Sequence, residues 1–290
     1  KQEVWRQQRM QVCVGIAPSK TLAKLANHLA KKSNKLSGVC LIDNISEWEN
    51  VFKKVHVSKV WGVGSRLSAR LKIWGIETVY DLIKQPPKRI RKEFGVTLER
   101  TVRELNGEKC FDIETQPPPK KEIVCSRSFG EKVIELSALK ESVATYTVRA
   151  SKKLRRQDGL TQRISVMIQT SRFHQNRYIN SASLKLPYPT NDSRLLVKYS
   201  LELCEQLYRQ GYQYAKAGVS LNELSNSSYS QFDFFESGQT DKSFKLMQVM
   251  DDVNKKYGAE QVFLAAQGIQ QQWQMVRRYK SPAYTTRFSD

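Results

Sequence analysis

The spacing of apolar positions changes along this chain, and the changes divide it into segments. Gln11 to Ile16 reads as a strand. Ser19 is a good N-cap for the helix that follows, in which Leu22, Leu25 and Leu29 form a stripe at helical spacing. Gly38-Val39-Cys40-Leu41-Ile42 is a short apolar run that stops at Asp43 and Asn44. Strand, crossing helix and strand suggest the end of a mixed α/β sheet. From Ile45 to about Thr115 the period is helical throughout. Trp74-Gly75-Ile76 breaks one helix, Thr78 can cap the next through Leu82 and Ile83, and Pro86-Pro87 stops it. Leu98, Val102 and Leu105 form the apolar side of a last helix, ended by Gly107. Gln116-Pro117-Pro118-Pro119-Lys120-Lys121 is a stiff, extended, basic linker and the clearest boundary in the sequence.

Beyond the linker, periods of 2 and 3.6 alternate. Ile123 to Phe129 reads as a strand and Leu139 to Arg156 as a long helix with Val143, Tyr146, Ala150 and Leu154 inward. Arg163 to Thr170 alternates around Ile164, Val166 and Ile168, and Ser181 to Leu186 around Ala182, Leu184 and Leu186. A helix from Ser193 to Tyr208 and a strand from Ala215 to Leu221 complete a β-α-β-β-α-β run. Two helices cover one face of a four-stranded sheet, so the other face is solvated or binds something. Ser181, Ser183 and Lys185 point to that face, and Arg127, Ser128 and Arg163 lie in or beside the strands. The set suits sugar and phosphate contacts, with a plain solvated face as the alternative. Asn226 to Ser230 is a polar tether leading into Gln231-Phe232-Asp233-Phe234-Phe235. Such a peptide can dock in an apolar pocket on another protein, or pack back on its own chain. A helix from Lys245 to Tyr257 and an amide-rich tract, Gln267 to Met275, follow, and physical reasoning alone gives that tract no definite role. The fold class predicted is α+β and multidomain, with a mostly helical tail.

Charge narrows the partner. The 290 residues carry 48 Lys and Arg against 28 Asp and Glu, a net charge of +20, which is the footprint of a polyanion ligand. No apolar run approaches the roughly 20 residues of a membrane-spanning helix, so nucleic acid is favoured over a lipid surface. The five cysteines and three histidines are scattered, with no metal-ligand spacing, and no zinc site is predicted. Gly62-Val63-Gly64 opens directly into a helix bearing Ser65 and Arg66. Uncovered backbone N–H groups, a helix N-terminus, a hydroxyl and a guanidinium at one spot make a phosphate cradle. This is the helix-hairpin-helix pattern, a reader of DNA backbone, although an ordinary glycine turn between helices has the same look. Lys20, Lys24 and Lys31 fall within about 40 degrees of one another around their helix, as a basic ridge or a solvated face. The chain begins at Lys1 in a charged, helix-like stretch, and is expected to be a piece of something longer.

Taken together, G-I-A-P-S-K-T-L-A-K-L-A (Gly15 to Ala26), the W-G-V-G hairpin, C-S-R-S-F-G (Cys125 to Gly130) and G-I-Q-Q-Q-W-Q-M (Gly268 to Met275) resemble the UmuC branch of the Y-family translesion DNA polymerases. The resemblance spans essentially the whole chain in unbroken order. It implies that residues 1–44 end the palm, 45–115 are the thumb, 122–224 the little finger and 225–290 a UmuC-type tail. It implies that Lys31 meets the triphosphate of the incoming dNTP, with Lys24 on the same helix face. It places the sliding-clamp peptide at Gln231, Phe232, Phe234 and Phe235. The partners implied are primer-template DNA, dNTP, the sliding clamp, the UmuD dimer and the RecA filament, in the bacterial cytoplasm during the SOS response. The Mg²⁺ ligands of such enzymes would lie upstream of Lys1, so this chain alone is expected to bind no metal and to be catalytically inactive. A non-enzymatic adaptor between duplex and clamp is the alternative from another class. A nuclease or repair subunit that borrowed the hairpin is the third, disfavoured because no carboxylate cluster is in view.

Overall fold

The computed structural model describes residues 1–115, 118–174, 176–226 and 238–275. Two compact units divide between residues 116 and 117, within the Pro-rich segment.

In the first unit, α1 (Gln2–Gln8) is followed by β1 (Val14–Ile16), α2 (Lys20–Lys32) and β2 (Val39–Leu41). β1 and β2 pair in parallel, Gly15 opposite Cys40, with α2 as the crossover between them. The first strand is shorter than the predicted Gln11–Ile16. Its Ile16 and the Val39 and Leu41 of β2 are about half exposed, so this small sheet keeps an uncovered apolar face. Ser19 caps α2 by accepting from Leu22 N–H, and its hydroxyl donates to Glu104 O at 2.7 Å. Then come α3 (Glu49–Phe52), α4 (Ser65–Ile73), α5 (Val79–Ile83), α6 (Pro87–Phe94) and α7 (Val96–Leu105). Thr78 and Asp81 form a reciprocal capping box on α5, and Pro87 starts α6, where its missing N–H costs nothing. Leu22, Leu25 and Cys40 share one core with Phe52, Leu71, Leu82, Val102 and Leu105. The boundary expected near residue 44 therefore runs through a single apolar cluster.

Glu104 ties that unit together. It is fully buried, and its carboxylate accepts from Thr21 N–H, Thr21 Oγ1, Cys110 N–H and Phe111 N–H. Burial by itself would raise its pKa, but the hydrogen bonds outweigh this and hold it below the ordinary carboxylate value. One side chain thus joins the first turn of α2, α7 and the segment leading out of the unit.

The second unit is built from β3 (Ile123–Val133), α8 (Leu136–Arg155), β4 (Gly159–Thr170), β5 (Ile179–Thr190), α9 (Ser193–Leu207) and β6 (Tyr214–Asn226). The strands form one antiparallel sheet in the order β3-β6-β4-β5. They are longer than the sequence pattern suggested, because pairing continues through polar residues that carry no alternation. α8 and α9 bury Leu139, Val143, Ala150, Leu154, Leu196 and Leu203 against Ile164, Val166, Ile168, Ala217, Val219 and Leu221.

The tail packs on this unit. α10 (Asp241–Lys256) inserts Met247 and Met250, and polar pins hold its ends. Ser243 Oγ donates to Asp192 Oδ2 at 2.7 Å, and Arg155 grips Asp251 through two bonds of 2.7 and 3.0 Å. The tail was expected to be mostly helical. Among its described residues α10 is the only α-helix, and the amide-rich tract beyond it is irregular apart from a 3-10 turn at Ala265–Gln267. Tertiary contacts set that course: Trp273 is buried between Phe129 and Tyr146, edge to face at 6.3 and 5.6 Å, and Gly130 N–H donates to Trp273 O at 3.1 Å. A Cβ on Gly130 would lie 2.4 Å from Gln274 O, so the tail closes on β3 only because residue 130 has no side chain.

Candidate nucleic-acid interface

Val57, Val60 and Val63 are buried beneath the hairpin, while Gly62, Gly64, Ser65 and Arg66 stand exposed above it. Gly62 has φ +89°, where a side chain would be strained, and Gly64 is the N-cap residue of α4 in an ordinary extended conformation. Nothing lies within 4 Å of where a Cβ on either glycine would sit, so the space above the turn is open. The ladder of α4 begins with Ser68 N–H on Gly64 O at 2.9 Å. That leaves the N–H groups of Ser65, Arg66 and Leu67 without helical acceptors, at the positive end of the helix dipole. Arg70, which shares the face of Arg66, is committed elsewhere: it donates to Glu93 O at 3.0 Å and stacks on Phe94.

The α2 ridge is as basic as its sequence. Lys24 lines an open recess of about 490 Å³ with Gly15, Lys20, Asn27 and Trp61. Lys31 is exposed two turns further on and does not line it. His28 reports the local field: burial first, then the charges of Lys59, Lys32 and Lys31, hold its pKa below 6.5. Trp61, half exposed beside Lys24, was not singled out by sequence reasoning, since only the fold brings the hairpin to α2.

The uncovered face of the sheet in the second unit can be read row by row from strand register. Ser128, Lys216, Gln169 and Ile179 form one row, and Ser126, Gly218, Met167 and Ser181 the next. Val124, Ser220, Ser165 and Ser183 form a third, and Asn222, Arg163 and Lys185 a fourth. Serine hydroxyls, with Val124, Met167 and Gly218 between them, fill the two middle rows, and the amides and cations stand in the end rows. Arg163 shares its charge with Glu223 at 2.7 Å. Arg127 is the exception among the residues predicted for this face. It lies in register with Ala217 and Ile168, both fully buried, and so belongs to the face that the helices cover. The alternation Ile123, Cys125, Arg127 carried that signal. Lys216 was missed, although the period of Ala217, Val219 and Leu221 puts it on the open side.

Gln231, Phe232, Phe234 and Phe235 lie outside the described residues. Among the described residues no three His, Cys, Asp or Glu side chains come close enough to hold a metal ion, so nothing described here fits a Mg²⁺ centre. No described helix is long and apolar enough to cross a membrane.

A family model described as the impB/mucB/samB family C-terminal domain matches residues 120–234, and a domain of unknown function matches residues 245–290. The chain is 43% identical to protein UmuC of Salmonella typhimurium strain LT2, over 99% of this chain and 69% of that protein. The chain belongs to the UmuC family of Y-family DNA polymerases. Protein MucB of Escherichia coli is 42% identical over 99% of this chain and 68% of its own length. DNA polymerase IV of Bacillus velezensis is 23% identical over 84% and 58%. The fold is shared with a Y-family DNA polymerase chimera of Dbh and Dpo4, with a TM-score of 0.53 and 21% identity over 78% of this chain and 62% of that one. As a UmuC-family member the chain serves DNA-directed DNA synthesis past damaged template in error-prone repair.

Proposed function

We propose that this part of the UmuC-type polymerase holds primer-template DNA by its sugar-phosphate backbone and contributes cations to the nucleotide site. The observation that carries this reading is the set of rows on the uncovered sheet face, where Lys216, Arg163 and Lys185 flank serine hydroxyls on a chain of net charge +20. Such donors suit phosphate and sugar oxygens and read no base edge. The hairpin at Gly62 to Arg66 is a second backbone site. Lys31 and Lys24 give the α2 ridge its pull on the dNTP triphosphate. On this reading residues 1–44 end the palm, with the half-exposed Ile16, Val39 and Leu41 facing further palm structure. Residues 45–115 are the thumb and 122–224 the little finger.

Mg²⁺ is held by carboxylates outside this chain, which alone catalyses nothing. Gln231, Phe232, Phe234 and Phe235 dock on the sliding clamp, and the UmuD dimer and RecA filament are further partners. These partner assignments rest on the resemblance in sequence. Duplex binding across a salt titration tests the proposal. The chain should retain random-sequence duplexes alike at low salt and release them steeply as salt rises. Failure to retain duplex at low salt, or an affinity that barely responds to salt, would sink it. Primer extension on addition of dNTP and Mg²⁺ would contradict the assignment of the metal ligands to residues outside the chain.

A further inference from the structure

The tail tract ends against an unusual group of donors. Arg127, Ser128, Tyr146, Arg149 and Trp273 line a recess of about 380 Å³ at the free edge of β3, continued by Gln274. Trp273 is 4% exposed, and its Nε1–H is the one buried side-chain polar atom among the described residues that lacks a hydrogen-bond partner. Leaving such a donor unmet costs about 1–3 kcal/mol, so it calls for an acceptor. Tyr146 is 1% exposed and makes no hydrogen bond among the described residues, and burial pushes its pKa up to about 12, so its hydroxyl stays protonated at neutral pH. Among the described residues Arg127 has no ion-pair or hydrogen-bond partner, and Arg149 shares its charge with Glu260 at 2.8 Å. Lys153 adds to the same positive field, which bears on Cys125 behind the recess. Two guanidiniums and an indole N–H, which only donate, stand with two hydroxyls that can donate, and no carboxylate among the described residues lines the recess, which makes it the complement of an anion.

Continuity with the sheet face selects the anion. Ser128 belongs both to this recess and to the open-face row of Lys216 and Gln169. A sugar-phosphate strand lying along that row therefore meets the recess on turning over the β3 edge. We infer that the docked tail completes a phosphate site on the sheet domain, in which Arg127, Arg149 and the Trp273 indole N–H bind a backbone phosphate of nucleic acid. This extends the proposed DNA grip to the covered side of the sheet and gives the tail tract a share in it. Gly130 is the permissive residue, since it lets Trp273 close the recess.

Indole ¹⁵N–¹H spectra of the full chain test the inference, with Trp273→Phe identifying the Trp273 signal among five tryptophans. A short random-sequence duplex should shift that signal. Arg127→Gln should abolish the shift, weaken duplex binding roughly eightfold at about 0.1 M salt and flatten the salt dependence by about one contact, without lowering the melting temperature. If duplex binds but the Trp273 signal and the Arg127→Gln salt slope stay as they were, this inference is overturned while the open-face grip stands. A polyglutamate peptide that moves the signal where duplex does not would overturn it in favour of a carboxylate partner. If the unmodified chain fails to hold duplex at all, both readings fall together.

Discussion

Replacing Lys185 and Lys216 together by glutamine removes two of the cations on the uncovered sheet face. Among the described residues neither makes an ion pair, which leaves both to meet phosphates. Each phosphate contact on duplex DNA contributes about 0.9 to the slope of log K against log salt, which is roughly eightfold in affinity at about 0.1 M salt. Two lost contacts should therefore weaken binding by about 60-fold there and reduce the slope by about 1.8. The side chains project from the strands, and glutamine, one atom shorter, keeps a polar unbranched chain, so the sheet itself should melt at the same temperature. Arg163 gives an internal control of opposite sign. Its guanidinium is shared with Glu223 at 2.7 Å, so Glu223→Gln should free it and strengthen binding, by up to the same eightfold. Fluorescence anisotropy with a labelled duplex, read at several salt concentrations and on several sequences, measures both effects. The reasoning fails if the double variant keeps the original slope, if the loss is confined to certain sequences, or if Glu223→Gln weakens binding.

At the hairpin, Gly64→Val should cost about tenfold in duplex affinity and, since φ is ordinary and the space is empty, only the roughly 1 kcal/mol of a poorer N-cap in stability; duplex titration beside a thermal melt reads the two separately. Gly62→Val is a less clean probe, since φ +89° adds a strain of about 1–2 kcal/mol. Burial first, and the charges of Lys59, Lys32 and Lys31 after it, lower the pKa of His28, so inorganic triphosphate bound on the α2 ridge should move it part of the way back up by offsetting the lysine charges; an NMR titration in which it stays put argues against a triphosphate site there. Glu104→Gln should destabilise the first unit by about 3–5 kcal/mol in urea unfolding, since buried donors lose a charged acceptor. The native carboxylate has a depressed pKa, so its contribution is present above the ordinary carboxylate range and is lost as pH falls through the native value. The glutamine variant should lack that acid-limb loss, and an identical acid limb in both proteins would refute the role.

The sequence by itself determined the elements and their order, because each rests on local rules. Ser19 and Thr78 cap where an N-cap must stand, and the period of 2 in Ile164, Val166 and Ile168 fixes which side of β4 meets α8 and α9, whereas Pro86-Pro87, legible as the stop of one helix, did not announce that Pro87 begins the next. The glycine turn at Gly62 was legible for the same reason. What the tertiary structure decided was every meeting between residues distant along the chain. Lys216 joins Gln169 and Ser128 through strand register, Trp61 comes beside Lys24 because the hairpin folds over α2, and Glu104 gathers four donors from α2 and the exit segment. Trp273 shows the difference most plainly: an amide-rich tract has no period of its own, so its course follows from the ring pocket of Phe129 and Tyr146 and from the room that Gly130 leaves. Local preference needs only neighbours within a turn, whereas burial and pairing need partners that folding alone brings together.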